Sequence, residues 1–405
     1  MIVTENKKGY GEQMKLEEKA FWLKNANYFN VHTGEMVINA SLEIAGGTIT
    51  EICSAIPDDT DNIIDCSGKY ITPGLIDMHV HIVWDGGPAP VRTMLDEGNY
   101  VAGFRGLANA QASLKKGVTT VRDVGCPDDV AIHMAHAIQR GIVDACDIVP
   151  CGRALQITGG HVPEVGIIAD TSDEILKSIR FLKATGAKWI KVMATGGAYG
   201  PEEIGPVLYS EEEMRLIVRE SHRLNMKVAA HALSKSGIIN CIEAGIDTIE
   251  HGAVISEEYL RKMKEKNLAY IPTLSVYKEL SQSHGVLPDN IIEKAEFVVG
   301  NQKKTFKMAM DIGVCIALGT DAGSPGYGPH PSVLKEMLVM EEYGMSKAEI
   351  IKSATLNAAR ILENESIGAI EAGKIANLVV LNANPLEDLK AFDDIAAVYK
   401  RGILV

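Results

Sequence analysis

Nowhere in the chain do two cysteines stand as C-x-x-C, and neither G-x-G-x-x-G nor G-x-x-x-x-G-K-[ST] occurs. The first absence removes zinc-ribbon and thioredoxin-type sites, and Cys146 with Cys151 has the wrong spacing to replace them. The second removes the fingerprint of a nucleotide-binding sheet. Long apolar runs are also missing: no stretch reaches the roughly 18 residues of a membrane span. The opening "MIVTENKKGYGEQMKLEEKA" lacks the apolar core of a signal peptide. Positive charge is in deficit, with 40 Lys and Arg against 53 Asp and Glu and a net charge of −13. That balance argues against nucleic acid, which needs a basic surface. The seven cysteines are an odd number scattered through apolar segments, the pattern of buried free thiols in a reducing compartment. These absences predict a soluble cytoplasmic protein with no nucleic-acid and no membrane partner. A small-molecule substrate and a homo-oligomer are expected instead.

What is present is 405 residues, 46% of them apolar and 23% charged, enough for two or three domains or for one α/β barrel with an addition. Residues 1–16 read as a polar tail. Residues 17–70 carry short alternating runs such as "MVINASLEIAGGTITEI", punctuated by Gly, Asn and Asp, and the same character returns over 366–405 in "AGKIANLVVLNANP". This is small-sheet material, predicting one β domain assembled from both ends. Between them, 71–365, nearly continuous apolar runs alternate with helical patterns, the mark of parallel strands covered by helices. Eight runs can be counted: 75–81, 118–125, 146–152, 189–195, 227–232, 247–252, 269–274 and 314–323. Capping boxes Ser210-x-x-Glu213 and Ser346-x-x-Glu349 open helices over 210–225 and 346–362. The α/β class is thus expected as a (β/α)8 TIM barrel, with a doubly wound open sheet as the alternative.

The run "LIDMHVH" sends Asp77, His79 and His81 to one face of a strand, and buried polar groups need partners. Other runs carry Lys191, His231, His251 and Asp321 at or near equivalent ends, which a barrel would bring to one rim. Taken singly, each has an ordinary explanation: a bonded core histidine, a snorkelling lysine, a turn aspartate. Six together point to a metal site. Lys191, flanked by apolar residues, is expected to have a lowered pKa, and its neutral amine can add CO2 to become a carbamate. That group bridges cations, so two divalent metals are predicted. Imidazole and oxygen donors suit Zn²⁺ best, with Mn²⁺, Ni²⁺ or Fe²⁺ as other possibilities. A hydroxide bridging two metals is a nucleophile near neutral pH, with Asp321 as general base and acid. His161, in "QITGGHV", is either a donor to a developing oxyanion or a surface-loop histidine.

"PGLIDMHVH", "ITGGH", "WIKVMATGG", "AAHA", "TIEHG", "IPTL" and "ALGTDAG" resemble the sequence blocks of the amidohydrolase superfamily, in its imidazolonepropionase-related, prolidase-like branch. The likeness spans nearly the whole chain. It implies a TIM barrel with a small β-sandwich and a binuclear site. His79, His81 and Asp321 would hold the more buried metal, His231 and His251 the other, and carboxylated Lys191 would bridge them. His161 would polarise the carbonyl, and Tyr277 would sit near the substrate. The implied activity is cleavage of an amide bond in a dipeptide or N-acyl amino acid. A cyclic amide, carbamate or lactone hydrolase is the alternative, and a non-catalytic scaffold the remaining one. Some members of the branch carry a substrate-binding tyrosine where this chain has Leu233; Lys235 and Arg92 are then either carboxylate-binding groups or, the favoured reading, solvated surface charges. "GGHV" replaces the more frequent "GGHG".

Overall fold

The computed structural model describes residues 20–57, 60–200, 202–328 and 330–405. The polar tail expected over 1–16 lies outside them, as do residues 17–19 of the expected β domain. Five strands open the chain: β1 Phe21–Asn30, β2 Glu35–Ala45, β3 Thr48–Cys53, β4 Ile63–Asp65 and β5 Tyr70–Pro73. The turn between β1 and β2 closes on Gly34, whose φ of 75° suits a residue without Cβ. Leu23, Leu42, Ile44, Ile49 and Ile71 form an apolar cluster with Leu378, Val380 and Tyr399. Each such burial is worth about 1.5–3 kcal/mol.

The middle of the chain supplies parallel strands. They are β6 Leu75–Val80, β7 Val118–Asp123, β8 Asp147–Pro150, β9 Ala154–Gln156 and β10 Gly166–Ile168, then β11 Trp189–Met193, β12 Lys227–Ala232, β13 Thr248–His251, β14 Ala269–Ile271 and β15 Cys315–Ile316. They form two sheets, β6-β7-β8 and β10-β9-β11-β12-β13-β14-β15, rather than one continuous ladder. Isolated backbone hydrogen bonds join them at two seams. At one, Lys188 N donates to the Pro150 carbonyl at 2.9 Å; at the other, Met78 N reaches the Leu318 carbonyl at 2.9 Å and Asp321 N the His79 carbonyl at 2.7 Å. The first break has a local cause: Gly152, at φ 69°, turns the chain between β8 and β9. The eighth run yields only a two-residue strand, and beyond it Asp321 and Gly323 take left-handed φ values of 61° and 98°. The strands β16 Leu378–Leu381, β17 Ile395–Lys400 and β18 Ile403–Leu404 then return to the first sheet. Its order is β18-β17-β16-β5-β1-β2-β3, with β4 beside β1. Strands β1–β5 and β16–β18 thus lie in one sheet.

Helices lie between the parallel strands. Glu211–Arg223 starts on the expected box, with Ser210 Oγ accepting from Glu213 N and the Glu213 side chain returning to Ser210 N. It buries Met214, Ile217, Val218 and Ser221, one face at helical spacing. The second box opens Lys347–Lys352, followed by a π turn over 353–357 and a last turn to Ile361. All seven cysteines are free thiols, but Cys315 is exposed and Cys53 half-buried, so only five are the buried thiols expected. Among the described residues, no helix is long and apolar enough to cross a membrane.

Candidate active site

One cavity is lined by eight of the residues singled out from the sequence: His79, His81, His161, Lys191, His231, His251, Tyr277 and Asp321. Trp84, Val162, Met193 and Tyr199 complete its wall. The strand register explains the convergence. Lys191 pairs with Ala229 two positions before His231, and Ala232 pairs with His251, so neighbouring parallel strands deliver their side chains to one end. His81 lies one residue beyond β6. His251 and Asp321 both hold left-handed backbone, at φ 66° and 61°, a conformation that costs free energy for residues with a Cβ and concentrates at functional sites.

Each imidazole is fixed through one nitrogen. His79 Nδ1 lies 2.6 Å from Glu250 Oε2, His81 Nδ1 donates to the Gly125 carbonyl at 3.0 Å, and His251 Nδ1 lies 2.6 Å from Thr273 Oγ1. For these three, Nε2 is left toward the interior. His231 is turned the other way, its Nε2 donating to the Gly196 carbonyl at 3.2 Å. Asp321 Oδ1 lies 3.5 Å from His79 Nε2 and 3.4 Å from His81 Nε2, and accepts from Ser324 Oγ at 2.9 Å. Its other oxygen accepts from the Tyr199 hydroxyl at 2.9 Å. Ligand atoms of His79, His251 and Asp321 all fall within 4.8 Å of one another.

Burial dominates the electrostatics. It holds His79, His231 and His251 well below the usual imidazole value and His81 down at about 3, with the Lys191 charge adding to each. Burial also lowers Lys191, against the opposing pull of Glu250 and Asp321. It raises Asp321 to about 6, with Ser324, Lys191 and Tyr199 working the other way. Neutral imidazoles oriented by outer hydrogen bonds, beside a carboxylate, are the donor set a divalent cation takes. On that chemistry the residues fit a metal site.

A match to the amidohydrolase family covers residues 70–405. The chain belongs to that family. Amidohydrolases are typically metal-dependent, and this one is a hydrolase acting on C–N bonds. It is 32% identical to the ochratoxinase of Aspergillus niger over 414 residues, covering 90% of this chain and 82% of that one. It is 25% identical to the imidazolonepropionase of Thermoplasma acidophilum over 385 residues, covering 89% and 85%. Among solved structures it is similar to a Xaa-Pro dipeptidase with methionine bound in the active site, at a TM-score of 0.88 and 29% identity, covering 95% of this chain and 99% of the other.

Lys235 and Arg92 do not line the cavity. Lys235 opens the helix Lys235–Ala244 and borders a separate surface cleft. Arg92 is exposed and paired with Asp96 at 2.8 Å. Leu233 is buried, its N–H donating to Thr195 Oγ1. Several contributors escaped the sequence reading: Glu250, Arg122, Thr273, Trp84, Tyr199 and Glu202. For Glu250 a signal existed, a carboxylate inside the apolar run "TIEHG" next to a candidate ligand. Trp84 stacks on His81 with ring centroids 3.9 Å apart, and nothing in its spacing foretold that.

Proposed function

We propose that this amidohydrolase cleaves the amide bond of a dipeptide or N-acyl amino acid, using two divalent cations, Zn²⁺ by the chemistry of the donors. The observation that carries the reading is the convergence of His79 Nε2, His81 Nε2 and Asp321 Oδ1 in a buried cavity shared with Lys191. His79, His81 and Asp321 would hold one cation, and His231 and His251 the other. Lys191 would join them after its amine adds to CO2 and loses a proton, leaving a carbamate; burial favours the neutral amine that this addition needs. What the cations supply is Lewis acidity toward water and the scissile carbonyl.

The protein's own groups do the rest. Asp321 accepts the proton of the attacking water and passes it to the leaving nitrogen as the C–N bond breaks. His161 donates to the carbonyl oxygen as it gains charge. Tyr277, in the helix Leu274–Ser281, closes the wall beside His251 with ring centroids 5.4 Å apart, so that the bond is cleaved away from bulk water. We read the two joined parallel sheets as a (β/α)8 barrel over 71–365, its strand ends forming the rim that carries the site. The sheet built from both ends is read as the small β domain. The similarity to an ochratoxinase and to a Xaa-Pro dipeptidase sets the substrates to try first.

The test is metal analysis of the purified protein followed by a hydrolysis screen of dipeptides and N-acyl amino acids. About two equivalents of metal, as a two-cation site requires, with release of an amino acid is the expected result. Two equivalents with no amino acid released would move the search to cyclic amides, carbamates and lactones. One equivalent or none would overturn the bridging role of Lys191.

A further inference from the structure

His161 is only 3% exposed, which removes the reading of a solvated loop histidine. Its Nδ1 lies 2.5 Å from Glu202 Oε1, a carboxylate 41 positions along the chain. The same oxygen accepts from Gly197 N at 3.3 Å. The loop after β11 is shaped around this pair. A Cβ on Gly197 would stand 2.2 Å from the His161 ring, and one on Gly200 would stand 1.8 Å from Glu202 Oε2. Behind the loop, Lys294 on the helix Asp289–Ile312 donates to the Gly200 carbonyl at 2.7 Å and the Glu202 carbonyl at 2.5 Å. The ring is held on its other side by His231, stacked at 4.6 Å between centroids. Burial pushes the Glu202 carboxyl up, but the bonds and charge of His161 outweigh it and keep it below its usual value.

We propose that Glu202 is the positioning residue of His161, fixing the ring through Nδ1 so that Nε2 is presented to the substrate carbonyl. This rests on the amide-hydrolase reading, in which His161 donates to the developing oxyanion. A carboxylate on Nδ1 does two things for such a histidine: it selects the ring orientation, and it pairs the positive charge carried when Nε2 also bears a proton. Glu202 touches no reacting atom in this scheme. It acts only through His161.

The experiment uses the metal-loaded full chain and four variants: Glu202→Gln, Glu202→Ala, His161→Asn and the double variant His161→Asn with Glu202→Gln. Rates are measured on the best-hydrolysed member of the dipeptide and N-acyl amino-acid screen, alongside bound metal per chain and melting temperature. The two Glu202 variants should lose about 10–10²-fold in kcat, with KM, metal content and melting little changed. The double variant should be no slower than His161→Asn within about twofold, because residues acting as one unit are not additive. A Glu202→Gln enzyme within about threefold of the parent, or a double variant that multiplies the two losses, overturns the assignment. A readout independent of turnover is the imidazole N–H proton spectrum of protein labelled with ¹⁵N-histidine. A low-field Nδ1–H resonance should be present in the parent and lost in both His161→Asn and Glu202→Ala. Its absence from the parent sinks the pairing. Its presence in a parent that hydrolyses nothing sinks the amide-hydrolase reading and leaves the pairing standing.

Discussion

Arg122 Nη2 and Glu250 Oε1 lie 2.8 Å apart, and neither side chain is exposed at all. The arginine comes from β7 and the glutamate from β13, and the second glutamate oxygen is the one that holds His79 Nδ1. Arg122 Nε donates to the Met78 carbonyl at 2.6 Å, Nη1 donates to Thr248 Oγ1 at 3.2 Å, and the guanidinium lies over Trp189 at 4.6 Å. The charge that orients His79 is therefore itself neutralised from beneath.

Removing one partner strands the other in a dry interior. Glu250→Ala should destabilise the fold by about 3–5 kcal/mol and weaken metal retention by about 10–100-fold. Arg122→Met with Glu250→Leu should cost less stability than the sum of the single changes, since neither charge remains unpaired. Urea titration and competition with a chelator measure both. Additive stability losses would show that the pair does not act as a unit.

Lys191→Ala should abolish turnover and metal retention together, with partial recovery when short carboxylic acids are supplied to replace the carbamate. Metal per chain and rate, measured with and without added acetate, decide it. A variant holding its full metal at parental rate refutes the bridging role.

Asp321→Asn is the informative change at the base. Asparagine tolerates the left-handed backbone that Asp321 adopts, and its carbonyl can still accept from the Tyr199 hydroxyl. The fold should persist while kcat falls by about 10²–10⁴-fold, because the proton acceptor is gone. Circular dichroism checks the first half and steady-state kinetics the second. Near-parental turnover would move the base elsewhere.

A fourth expectation concerns acid. Glu220 accepts from Arg223 and Arg180 at 2.7–2.8 Å, with Arg223 the larger influence, and these bonds hold its carboxyl at about 2 against an ordinary 4.5. A folded-state value below the unfolded one means that the folded state resists protonation. The contribution is complete above pH 4.5 and is lost as pH falls toward 2. Glu220→Gln should cost about 1 kcal/mol at pH 7 and should show a flatter stability profile below pH 4.5 than the parent. Parallel profiles for the two proteins would show that the pairing contributes nothing.

The sequence made much of this readable because strand-end chemistry survives in the linear order: five of the six proposed metal-binding residues stand in or directly beside strands that the apolar runs had marked. Asp321 stands apart, in the loop after β15, where Asp321 and Gly323 take left-handed backbone within a run that looked continuous. β9 and β10 are three residues each, too short to carry a period, so the break between the two parallel sheets could not be foreseen. Glu250 with Arg122 and Glu202 with His161 were hidden for a different reason. Each pair is 128 or 41 positions apart, and a carboxylate alone does not announce the partner that will neutralise it.

The sheet shared by both ends of the chain sets a timetable for biosynthesis. β5 pairs with β16 from Tyr70 opposite Leu381 to Pro73 opposite Leu378. At 5–20 residues per second, the earlier strand leaves the ribosome roughly 15–60 s before its partner is made. Throughout that interval its open edge is a template for any passing strand. Strands β1–β5 can pair among themselves early, but β5 keeps one edge open until β16 is made, and a chain cut short before Leu378 leaves that edge without its partner.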